Sequence, residues 1–230
     1  MPVMSVPRIA SSTLAFLADL ERHNERPWFE ANKERYLVAK SDMEAFADAL
    51  LERMLRHDRI ATTSGKRTLL RIYNDQRFHK DRPPYAPRFA GYFARVKPQL
   101  RGGYFFHVQP GDRSHITCGF TGPVAEDLKL IRQDIAYDPE QWSKLLRHKS
   151  LTRNFGPLSG ARLRTAPRGF PKDHPAIDLL CHTQFLFRHP FTDAQVLSPH
   201  FADEMNAVFK GIRPFFDHMS EVLIADANGA

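Results

Sequence analysis

GYFFHVQPGDRSHITCGF, residues 103–120, decides the fold class. Its two flanks, GYFFHVQ (103–109) and SHITCGF (114–120), are rich in aromatic and β-branched residues. Pro110, Gly111 and Asp112 between them carry turn chemistry, so the stretch predicts an antiparallel hairpin. If Gln109 pairs with Ser114 across that turn, Val108 faces His115 and His107 faces Ile116. The two histidines then point to opposite faces and share a metal only in a different register.

On either side of the hairpin, LLRIYND (69–75), AGYFARV (90–96) and TQFLFRH (183–189) have the same strand-like composition, separated by turn-forming residues. Helical patterns bracket them. Ser11, Ser12 or Thr13 can cap a first helix carrying Leu14, Phe16, Leu17 and Leu20, which ends near His23 and Asn24. Pro27 suits the first turn of a second, whose apolar spacing runs through Tyr36, Ala39, Met43, Phe46, Leu50 and Met54 to Leu55. Trp28 and Phe29 at the junction read as anchors of one helix on the other. Pro123 and Pro139 each precede a further helical run, and a last helix is expected from Ser198 to a stop or bend near Pro214. The class is α+β: a central, mostly antiparallel sheet packed with helices, a helical N-terminal third and a C-terminal helix. One domain over 1–230 is expected, with its core at about 12–220 and short disordered ends.

A chain of 230 residues with 42% apolar residues can bury one substantial core. No stretch approaches the roughly 18 uninterrupted apolar residues of a membrane span, and MPVMSVPRIASS lacks the pattern of a secretory signal. The expectation is a soluble, cytoplasmic protein with no membrane association. Cys118 and Cys181, the two cysteines of the chain, are read as reduced thiols without a catalytic role.

The net charge of +7 is regional. Residues 53–101 hold 13 Lys or Arg against 3 Asp or Glu, and residues 140–188 hold 9 against 3. Brought together, two such stretches make a positive field suited to a phosphorylated small molecule or to nucleic acid; apart, they are a solvated basic surface.

Four runs, TLAFLADLERHNERPWFEANKERY, RIYNDQRFHKDRPPY, GYFFHVQPGD and LRTAPRGFPKDHPAIDLL, occur in this order. They resemble the successive motifs of a widespread bacterial and fungal family, domain of unknown function 2461, from about Thr13 to Pro214. The resemblance implies no reaction, cofactor or partner.

The residues of RIYNDQRFHKDRPPY (71–85) therefore carry the functional reading. On an extended strand Arg71, Tyr73 and Asp75 share one face, away from Leu70 and Ile72. Arg77, Lys80 and Asp81 follow, and Pro83 and Pro84 stiffen the loop before Tyr85. Such an array can hold an anion through the Arg71 and Arg77 forks, with Lys80 as a point charge and Asp75 orienting a guanidinium. It can equally be an internal ion-pair network with Tyr85 pinned to the core. In RGFPKDHPAIDLL (168–180), Lys172 is a second candidate ligand-binding cation. His174, ahead of Pro175, is a candidate acid or base, and Asp173 or His174 can instead cap a helix beginning there.

No metal or other cofactor is expected. The 11 histidines include no HExxH, and the chain has no paired CxxC, P-loop, GxGxxG or GxSxG. Two functional readings follow from this. One is a binding module with a basic pocket for an anionic ligand, phosphorylated or nucleic acid. The other is a metal-independent enzyme using His174 or His107 as acid or base, with Arg71, Arg77 and Lys80 neutralising substrate charge.

Overall fold

The structure, a computed structural model, describes residues 8–75, 77, 82–97 and 100–224. Its four strands are β1 (Phe89–Ala94), β2 (Gly103–Val108), β3 (Ser114–Phe120) and β4 (Phe185–Phe191), hydrogen-bonded in the order β1-β2-β3-β4 as an antiparallel sheet. Helices α1 (Ser11–Arg22), α2 (Arg26–Ala31), α3 (Lys33–Met54) and α4 (Gly65–Thr68) precede it. Between β3 and β4 lie α5 (Ala125–Tyr137), α6 (Pro139–Leu146), α7 (Lys149–Asn154) and α8 (Ile177–Leu180). After β4 come α9 (Asp193–Val196), α10 (Phe201–Gly211) and α11 (Arg213–Ile224). The class is α+β, as the alternating sequence patterns imply.

Several local expectations are corrected. The start of α1 takes no cap from Ser11, Ser12 or Thr13. Asp42 of α3 does that work instead, accepting from the Ala10 amide at 2.8 Å and the Thr13 hydroxyl at 2.6 Å. The helix expected from Pro27 to Leu55 is broken at Asn32, which leaves helical geometry (φ −111°, ψ 18°) while its side chain donates to Trp28 O. The stop expected near Pro214 is present: α10 ends at Gly211, and Pro214 sits in the first turn of α11, where its missing amide is harmless, that helix running on to Ile224.

The hairpin register also differs from the expected pairing. His107 and His115 stack at 4.6 Å between ring centroids, so they share a face. The difference lies in the connection: Gly111 and Asp112 both adopt positive φ (81° and 57°), and residues 109–113 form a five-residue loop where the Gln109–Ser114 pairing would leave four. Asp193 receives the Gly111 and Asp112 amides at 2.8 and 3.1 Å and returns its own amide to Asp112 Oδ1 at 2.7 Å, fixing the loop.

The described chain falls into two compact units. One comprises 8–93, 105–116 and 190–207. Its core joins the buried Phe16, Leu17 and Leu20 of α1 and Phe46, Leu50 and Met54 of α3 to Phe93, Phe106 and Phe201. Phe46 stacks on Phe201 at 5.3 Å and meets Phe106 edge-on at 6.2 Å. Arg53 grips Asp203 with two nitrogens, and Arg113 grips Glu21 likewise.

The other unit comprises 94–104, 117–189 and 208–224. Trp142, Phe185, Phe187, Phe215 and Phe216 are buried there. Arg95 is buried too, held by Arg101 O at 2.7 Å and by Ser220 Oγ and Asp217 Oδ1 at 3.3 Å, with its guanidinium 4.9 Å from the Phe216 ring centre. Gly119 of β3 (φ 139°) allows an approach to Phe185 O that a Cβ atom would block at 1.9 Å.

Acid dependence follows from the ionisable groups. His182 is buried, and desolvation lowers its proton affinity below the ordinary 6.5, so the unfolded chain takes up that proton more readily. The Arg35, Arg113 and Arg53 guanidiniums hold Asp19, Glu21 and Asp203 below their ordinary values of 3.8, 4.5 and 3.8. These carboxylates stabilise the fold above those values and lose that contribution as pH falls through the lowered ones. Urea unfolding measured against pH is expected to weaken first below about 6.5 and again below about 4.5. His182→Gln should remove the first step and spare the second.

Candidate functional site

The site is set by a change of register beside β1. Leu70 N–H donates to Ala90 O at 2.8 Å, whereas Ala86 N–H donates to Ile72 O at 2.7 Å. Arg71 alone separates the paired residues on one side; Pro87, Arg88 and Phe89 separate them on the other. The excess forms a bulge. LLRIYND is thus not the regular strand expected but a broken edge, held by isolated bridges Leu69–Gly91 and Tyr73–Tyr85. Pro87 suits the bulge because it has no amide to leave unpaired.

Arg88 stands in that bulge. Its amide donates to Ala86 O at 2.7 Å, while its side chain is half-buried, has its Nε shielded from solvent, and makes no hydrogen bond or ion pair among the described residues. Desolvation lowers its proton affinity, and the neighbouring Arg82 guanidinium lowers it further. Arg88 remains a cation at neutral pH, in a place that disfavours positive charge.

Two positions on from Arg88, and in phase with it, Ala90 and Tyr92 begin a half-exposed sheet face. Phe105 and His107 of β2 and His115 of β3 continue it, alternating with buried Phe106, Val108 and Ile116. Tyr92 stacks on Phe105 at 4.4 Å, as His107 does on His115. Burial raises the Tyr92 phenol above its usual range, keeping it a hydrogen-bond donor. His115 Nδ1 lies 3.0 Å from Arg113 O; a carbonyl can only accept, so Nδ1 carries the proton and Nε2 the lone pair.

The residues singled out in Arg71–Tyr85 have divergent roles. Arg71 is exposed and makes no hydrogen bond or ion pair among the described residues. Tyr73 is half-exposed and packs against Tyr85 and Phe29. Tyr85 is buried, stacked on Phe29 at 4.0 Å, with its backbone clamped by both ends of the Asn24 amide at 2.8 and 3.0 Å. Burial, followed by Tyr73, raises its phenol above the usual range. Asp75 engages Arg77 through Nε at 3.0 Å and Nη2 at 2.7 Å and also accepts the Arg77 amide. Lys80 and Asp81 lie outside the described residues.

In the other unit Lys172 is exposed, and His174 accepts the Ala176 amide on Nδ1 at 3.1 Å just ahead of α8. The helix begins at Ile177 rather than Pro175. His218 Nε2 lies 3.1 Å from Asp134 Oδ2, which also accepts the Trp142 indole N–H at 2.7 Å, a pairing that residues so distant in sequence do not announce. That network joins α5, α6 and α11 beside a cavity of about 360 Å³. His148 caps α7 through the Ser150 amide. Cys118 and Cys181 are buried thiols, and burial pushes the Cys118 thiol well up, away from nucleophilic use.

Among the described residues no group of three or more His, Cys, Asp or Glu could hold a metal ion, and no helix is long and apolar enough to cross a membrane. The profile of the family described as "Conserved hypothetical protein (DUF2461)" matches residues 12–218. The chain belongs to the DUF2461 family. Members share a description that names no reaction, so the chemistry of this DUF2461 chain has to be argued from its own residues. No curated protein and no solved structure matches it.

Asn24 is the tether between the helical region and the edge that carries the bulge. Asn24→Ala is expected to lower stability by about 1–3 kcal/mol, the cost of two lost, partly buried hydrogen bonds offset by hydration. Hydrogen exchange should speed at the Tyr85 amide more than along β2.

Proposed function

We propose that this chain binds a phosphorylated small molecule on the half-exposed face of β1–β3, with Arg88 as the anchoring cation. The observation that carries the reading is the Arg88 Nε, shielded from water and without a hydrogen-bond partner among the described residues. A donor so placed costs about 1–3 kcal/mol until an acceptor reaches it, and a charged one more. A phosphate oxygen supplies both the acceptor and the missing negative charge, in the forked geometry that guanidinium groups match.

The ring arrangement favours a small molecule over single-stranded nucleic acid. Platforms for bare bases offer open aromatic faces. Here Tyr92 and Phe105 turn their faces to one another, as do His107 and His115. Ring edges carry the positive end of the aromatic quadrupole, and Tyr92 adds a hydroxyl donor, which suits oxygen-rich anions. Arg82, close enough to perturb Arg88, reinforces the field. Arg77, already gripped by Asp75, contributes less.

Inorganic phosphate and a panel of phosphorylated metabolites, followed by calorimetry, provide the test. Arg88→Gln should weaken phosphate binding more than about tenfold, as expected for loss of a charge-assisted hydrogen bond, while Arg77→Ala retains most of it. Undiminished binding by Arg88→Gln contradicts the proposal. Binding of a homopolymeric single-stranded DNA far tighter than phosphate would replace it with the nucleic-acid reading.

A further inference from the structure

We propose that the unit comprising 94–104, 117–189 and 208–224 holds a single medium- to long-chain fatty acid, its tail in an apolar cavity and its carboxylate on the cations of α7. This site is independent of Arg88. The cavity, of about 430 Å³, is walled by Leu146 of α6, Leu151 of α7, Phe155, Leu158 and Phe187 of β4. Leu151, Phe155 and Phe187 are buried, and Phe155 meets Phe187 edge-on at 6.0 Å, so that wall is packed in advance of any ligand. Well-packed interiors leave few voids larger than a water molecule, whereas this volume and apolar lining are those of a small-molecule site. Thr152 and Gly156 also line the cavity, and both are exposed, which places its mouth beside α7.

Charge selects the occupant. Residues 141–172, which supply all of the lining but Phe187, hold eight Lys or Arg and no Asp or Glu, and all eight cations are exposed. Lys149 lies one helical turn before Thr152, and Arg153 follows Thr152 directly, so both stand next to the mouth on the solvent side of α7. Their side chains make no hydrogen bond or ion pair among the described residues. An apolar slot bordered by unanswered cations is complementary to a molecule with an apolar tail and one anionic end. A nucleic acid would engage the charge and leave the slot empty. A symmetric second copy would press two positive borders together, which opposes association.

Calorimetry of the full chain with hexanoate, octanoate, decanoate and dodecanoate, each below its micellar concentration, provides the test. Affinity is expected to rise about fourfold per added methylene until the cavity is full, the increment for burying one CH₂ group. Decanol should bind about fivefold more weakly than decanoate, and the double variant Lys149→Gln, Arg153→Gln should erase that difference while keeping the decanol affinity. Gly156→Leu should weaken decanoate binding more than about tenfold by filling the cavity. A Cβ at Gly156 meets nothing within 4 Å and its φ is not positive, so the variant should fold, with an unchanged urea midpoint as the check. Affinity that does not vary with chain length, equal binding of decanoate and decanol, or undiminished binding by Gly156→Leu each overturns the proposal. A dimer that Gly156→Leu dissociates would assign the cavity to a second copy. Tighter binding to anionic phospholipid vesicles, retained by Gly156→Leu, would replace it with a membrane-surface reading.

Discussion

The register change between the Leu70–Ala90 and Ile72–Ala86 hydrogen bonds is the constraint on which the candidate site depends. It inserts two surplus residues beside β1 and so takes Arg88 out of the ladder. Two anchors make the bulge a fixed feature. On one flank Asn24 holds the Tyr85 backbone and Phe29 stacks on its ring. On the other, Gly91 lies so close to the Phe106 ring that a Cβ would stand 2.4 Å from it. With both flanks packed, the backbone on either side of Arg88 is held, and the cost of its shielded Nε is retained for a ligand to relieve.

The same economy explains why most polar groups elsewhere read as structural. Arg53, Arg95 and Arg113 are tied to carboxylates or carbonyls, His148 and His174 accept helix-start amides, and His218 sits in the Asp134–Trp142 network. Each of these satisfies a buried or terminal group that would otherwise be left unpaired. The Arg88 side chain breaks that pattern within the described chain, and β1, which follows it, begins the face on which β2 and β3 carry the stacked imidazoles. Local rules fail most informatively at such places.

Much of the fold was legible because its signals are local. The runs around Phe105 and Ile116 are rich in aromatic and β-branched residues, and Pro27, Pro139 and Pro214 each lie in the first turn of a helix. The hairpin register was not legible, since it turns on Asp112 adopting positive φ, which residue type alone does not dictate. The edge strand misled because LLRIYND has strand composition while its partner carries the bulge. For the site, the 71–85 segment drew attention to Arg77, whose charge is answered two residues away by Asp75. Arg88 lies three residues past the motif. Pro87 before it was the available signal, a residue that cannot donate in a ladder and so marks a bulge or an edge. The stacking of His107 on His115 needed the register, and so was out of reach.

The central claim is that Arg88 is an anion anchor rather than a structural cation. Crystals soaked in tungstate, an electron-dense phosphate analogue, test it most directly. The account predicts tungstate oxygens within hydrogen-bond distance of Arg88 Nε, beside the face that carries Tyr92 and His107. Saturating tungstate that leaves Arg88 unoccupied, with its guanidinium bonded to a carboxylate of the chain itself, would contradict it.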